Sequence, residues 1–80
     1  MHELGVLTQV VRTVRRVADQ NHIEKIKHIT LDIGKDSTFV PIFLKKLYPV
    51  TIDQIELLKG SELKINMVQG TGLQIKDIGY

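Results

Sequence analysis

The chain has 80 residues and a formal net charge of +2, enough for one small domain that buries roughly 60% of the surface its unfolded form exposes. It contains no cysteine, which excludes a disulfide framework, a thiolate metal site and a cysteine nucleophile. With two phenylalanines and two tyrosines in a chain that is 42% hydrophobic, the core must be aliphatic, and the small net charge does not by itself point to nucleic acid.

From Leu4 to Ala18 the apolar residues Leu4, Leu7, Val10, Val11, Val14, Val17 and Ala18 recur at three-and-four spacing, one stripe of a helix with only Val6 off it. Arg12, Arg15 and Arg16 lie on the other side. Valine loses rotamer freedom in a helix, so this one should depend on packing against a sheet. It is predicted to begin at about Glu3, with Met1 and His2 at its exposed tip, and to stop at Asn21. Residues 25–33 read as a strand with Ile29, Leu31 and Ile33 on one face and His28, Thr30 and Asp32 on the other, ended by Gly34.

Asp36, Ser37 and Thr38 offer caps, and Pro41 suits the first turn of a second helix. That helix is expected to turn Phe43, Leu44 and Leu47 inward and to break near Tyr48, because Pro49 disfavours helical geometry in the residue before it. Thr51 would cap a short turn through Ile52, Ile55 and Leu58. Residues 62–68 alternate as a second strand with Leu63, Ile65 and Met67 on one face, Gln69-Gly70-Thr71-Gly72 is a turn, and residues 73–78 form a third strand. The short connection predicts that the second and third strands are antiparallel hairpin partners. The first and second, joined through a helix, should be parallel.

The expectation is an α/β fold in the order helix, strand, helix, strand, strand. It has a mixed three-stranded sheet with two main helices on one face, as one domain over residues 1–80. Two open edges on so small a sheet make a homodimer plausible, including one made by exchange of the last strand through the turn at residues 70–72. The N-terminus lacks the basic and apolar regions of an export signal, and no stretch is long enough to span a membrane, so a cytoplasmic location without membrane association is expected. There is no glycine-rich phosphate loop and no serine with a histidine base, so an enzyme is not expected.

Met1-His2-Glu3 carries the clearest chemistry. The Met1 α-amine and the His2 amide nitrogen close a five-membered chelate ring, and that amide with His2 Nδ1 closes a six-membered one. Three nitrogens in a plane suit Ni(II) or Cu(II) better than tetrahedral Zn(II). The fourth corner is open to the Glu3 carboxylate, another side chain, water or a partner protein. A Met-His start also arises by chance, and Glu3 is a favourable anion in a first helical turn. His22 and His28 read as solvated side chains, and capping and turn formation account for Asp32 and Asp36. The arginine stripe is a solvated face or a site for an acidic protein surface. Nucleic acid is not expected, since the sheet lacks exposed aromatic residues for base stacking.

The start Met1-His2-Glu3-Leu4 runs into a long amphipathic helix, a strand ends Leu31-Asp32-Ile33-Gly34 with Ser37 soon after, and Pro41 opens a helix. Together with Gly60-Ser61-Glu62-Leu63-Lys64-Ile65 and Leu73-Gln74-Ile75-Lys76-Asp77-Ile78, these resemble the HypA/HybF family of nickel metallochaperones. The resemblance implies a nickel-binding domain that delivers Ni(II) to the precursor of a [NiFe]-hydrogenase or urease, usually with a GTPase partner. It also implies a metal site at Met1, His2 and Glu3. The family carries a zinc-binding segment with two Cys-x-x-Cys pairs between its last two strands. This chain has only the short turn at residues 69–72 there, so zinc binding is not expected. The competing expectation is a protein-interaction module that keeps the fold without delivering metal.

Overall fold

The computed structural model describes residues 3–80. They form helix α1 (Glu3–Gln20), strand β1 (His28–Gly34), helix α2 (Pro41–Thr51), a 3-10 turn at Glu56–Leu58, and strands β2 (Glu62–Val68) and β3 (Leu73–Gly79). The α/β architecture with a mixed three-stranded sheet is the one expected from the sequence. α1 buries Leu7, Val10, Val11, Val14 and Ala18 on one side, against Ile29, Leu31 and Ile33 of β1 and Leu44, Tyr48 and Leu58. Leu4 was expected to join this stripe but is 48% exposed, because Glu3 takes the buried place in the first turn, four residues ahead of Leu7. Phe43 is likewise 49% exposed rather than inward: Leu44 and Tyr48, one turn apart, face the core, and Phe43 is rotated off that line.

The end of α1 is locked by its backbone. His22 adopts φ 57, and the Ile23 N–H reaches back to the Ala18 carbonyl at 2.8 Å, the six-to-one bond of a Schellman turn with a histidine where glycine is usual. α2 does not break at Tyr48 but continues through Pro49 to Thr51. Pro49 leaves the Lys45 carbonyl without its helical donor. The final turn is nevertheless held by Thr51 Oγ1 donating to Leu47 O at 2.8 Å and the Ile52 N–H donating to Tyr48 O at 3.1 Å. The buried Tyr48 ring anchors the same turn in the core, so tertiary packing overrides the local preference.

The strand order is β2-β1-β3. β1 pairs with β2 in parallel, as expected of two strands joined through a helix. The hairpin expected between β2 and β3 does not form: β3 lies on the far side of β1 and runs antiparallel to it. The 69–72 connection is long enough to cross one strand, since two strand spacings come to about 9.6 Å and a residue extends about 3.3 Å. It passes over the end of β1, where the Gly34 N–H donates to Gly72 O at 2.8 Å, Lys35 N–H to Val68 O at 2.7 Å and Asp36 N–H to Gly70 O at 2.9 Å. Gly34 permits the crossing, because a Cβ there would overlap the Gly70 carbonyl. The arrangement places β1, with Ile29, Leu31 and Ile33 all fully buried, in the centre of the sheet.

Candidate metal centre

Met1 and His2, the first two residues of the expected metal site, lie outside the described residues. Glu3 is the third, and its surroundings are defined. Its side chain is buried, 7% exposed, and its carboxylate Oε2 accepts the Val40 backbone N–H at 3.2 Å. Val40 is the residue that precedes the first turn of α2 and has no capping bond from its own side chain. In a local capping box, a glutamate three residues on reaches back to that N–H. Here Glu3 does so from 37 residues away. The bond joins the start of α1 to the start of α2, so the residue that follows the Met-His run is fixed to the rest of the fold. No pattern in the sequence marks this pairing, because Val40 carries no side-chain signal of its own.

Beside this first turn a groove of about 740 Å³ runs between α1 and β3, lined by Gly5, Val6, Val10, Phe39, Leu73 and Ile75 among others. Val6, which falls off the helical stripe, is one wall of it. The expected secondary candidates lie elsewhere. His28 is on the polar side of the sheet, its Nε2 3.4 Å from Asp77 Oδ1, and the imidazole covers Gly79, where a Cβ would collide with the ring. His22 is in the turn that ends α1. Asp32 accepts a hydrogen bond from Asn66 Nδ2 at 3.3 Å, across the β1–β2 pair. Among the described residues no three histidine, aspartate or glutamate side chains come together in a group able to hold a metal ion.

Comparison with known proteins gives the family of the chain. The family model described as HypA, hydrogenase/urease nickel incorporation, metallochaperone, matches residues 1–77. The hydrogenase maturation factor HypA of Methanocella arvoryzae is 38% identical over 65 residues, which make up 81% of this chain and 57% of that protein. The chain thus spans little more than half the length of this curated relative. The solution structure of the Ni metallochaperone HypA from Helicobacter pylori superposes with a TM-score of 0.89, over 99% of this chain and 97% of that one. At 14% identity the likeness is one of fold.

Proposed function

Because the chain belongs to the HypA family of nickel-incorporation metallochaperones, matched from its first residue to residue 77, we propose that it binds Ni(II) through Met1, His2 and Glu3 and delivers it to the precursor of a nickel enzyme, a [NiFe]-hydrogenase or a urease. The observation that carries this reading is the Met1-His2-Glu3 run at the head of α1. The Met1 amine, the His2 amide and His2 Nδ1 supply three nitrogens in one plane, a donor set matched to tetragonal Ni(II). Glu3 completes the triplet, and its carboxylate, engaged by Val40, ties the site to α2.

Ni(II) displaces protons from the amine and from the His2 amide, so affinity rises with pH. The corner opposite that amide is where a donor from the receiving protein enters, and successive replacement of nitrogens from that corner hands the ion on. Cu(II) binds the same donors more tightly in isolation, so selectivity comes from metal supply and from the partners. We assign the protein to the cytoplasm, with a GTPase as the second component of delivery and with no zinc site, since the chain has no cysteine.

Calorimetric titration of Ni(II) into protein with a free Met1 amine tests the proposal, beside the His2→Ala variant and a form with residues fused ahead of Met1. We expect one site with a yellow square-planar absorption band, lost in both altered forms. Nickel binding unaffected by either alteration would overturn the assignment and leave an interaction module on the inherited fold.

A further inference from the structure

β2 and β3 are the outer strands of the sheet, so each leaves one edge unpaired within the chain. The two edges are not equivalent. A twofold axis at the middle of β2, on Ile65, would set Glu62 against Val68 and Lys64 against Asn66, with no charge matched. β3 behaves differently because of its bulge. Thr30 of β1 is opposite Asp77 and Leu31 is opposite Ile75, which leaves Lys76 as an extra residue.

The carbonyls of Gly72 and Gly79 both turn toward β1, accepting from the Gly34 N–H at 2.8 Å and the Lys27 N–H at 2.7 Å. Backbone groups alternate along a strand, so from these two ends the outward groups are those of Leu73, Ile75, Ile78 and Tyr80. The extra residue makes that set symmetric about the point between Lys76 and Asp77. Without it, alternation would be symmetric only about a residue, and no axis could fall between Lys76 and Asp77.

A second copy of β3 laid antiparallel about this point pairs Ile75 with the partner's Ile78 and Leu73 with the partner's Tyr80. Lys76 then faces the partner's Asp77, twice over by symmetry. The faces agree as well. Ile75 and Ile78 are opposite Leu31 and Ile29 on the core side, whereas Asp77 is opposite Thr30 and reaches His28 on the polar side. Apolar residues would meet on one face and opposite charges on the other. Tyr80, 72% exposed in the single chain, would stand opposite Leu73 at the groove between α1 and β3.

We propose that two copies of this chain associate through their β3 edges, about a twofold axis between Lys76 and Asp77, to make one continuous sheet in which the partner's Tyr80 covers the α1/β3 groove. The association does not require nickel, so it stands apart from the proposed metal delivery.

Sedimentation equilibrium in the presence of a chelator, over a wide concentration range, tests it with two charge variants. In Lys76→Asp both copies bring carboxylates to the axis, and in Asp77→Lys both bring ammonium groups. Each variant alone is expected to dimerise about tenfold more weakly or worse, the effect of turning two attractive cross-strand pairs into repulsive ones. An equimolar mixture of the two restores every pair and is expected to form a heterodimer as tight as the unaltered protein. Circular dichroism of each variant confirms that the fold survives. On association, hydrogen exchange at the Ile75 and Ile78 amides should slow. A chain that stays monomeric at all concentrations, or a dimer indifferent to both variants, would overturn the proposal.

Discussion

At the scale of single atoms Glu3, beside its proposed place in the nickel site, has a structural task in the described residues. Its carboxylate is buried and accepts the Val40 N–H, a donor just ahead of α2. Truncation removes the acceptor of a part-buried hydrogen bond, which costs about 1 kcal/mol. Glu3→Ala should therefore lower the unfolding free energy obtained from urea titration by that amount in metal-free protein, whereas Glu3→Gln, which keeps a carbonyl oxygen, should lose clearly less. Equal losses for the two variants would mean that packing, rather than the hydrogen bond, holds the first turns together. The same comparison separates fold from chemistry in nickel titrations, since weaker binding in Glu3→Ala is informative only where the variant is still folded.

At the scale of elements, α2 meets the residue just ahead of β2 through Tyr48 and Ser61, whose oxygens are 2.7 Å apart. Ser61 Oγ also lies 2.6 Å from the Leu58 carbonyl, and its one proton goes there. Tyr48 is then the donor in the pair. Burial raises its pKa from the ordinary 10.0. A phenol with a folded-state pKa above its unfolded one contributes stability that is complete below pH 10.0 and is lost as pH rises through the folded value. Tyr48→Phe should remove that alkaline loss, seen as a smaller fall in stability between pH 9 and 11 than in the unaltered protein. It should cost about 1 kcal/mol at pH 7 for the missing hydrogen bond. Unchanged alkaline behaviour would assign the loss to lysine titration.

The elements also show what a sequence encodes and what it leaves out. Side-chain periodicity reports faces, so the length of α1 and the inward residues of β1 were readable directly from it. It does not report neighbours, and the place of β3 depends on a loop that passes over Gly34, a contact between backbones that no hydrophobic pattern marks. Pro49 misled for a related reason: the rule it breaks is local, and the buried ring of Tyr48 that overrides it is not. The site divides in the same way. The proposed Met1-His2 chelate can be read from sequence because its donors are contiguous in the chain, whereas the acceptor role of Glu3 cannot, because its donor belongs to Val40.

For the whole molecule, that contiguity has a thermodynamic consequence. A metal stabilises a fold only as far as it binds the folded state better than the unfolded one. The amine, amide and imidazole of Met1 and His2 are as close together in an unfolded chain as in a folded one, so the proposed site contributes to nickel affinity without contributing to stability. Were binding confined to the folded state, nickel at a hundred times its dissociation constant would add about 2.7 kcal/mol. For a domain of this size that is a rise in Tm of roughly 10–20 °C. With the donors shared by both states, the rise should stay below about 3 °C. Scanning calorimetry of the metal-free and nickel-saturated protein, with His2→Ala as the blank, measures the difference. A small shift beside tight, His2-dependent binding fits a carrier whose cargo leaves without unfolding it. A shift of 10 °C or more would mean that the fold itself supplies a ligand, and the anchored Glu3 would then be the first residue to test as the donor at the fourth corner.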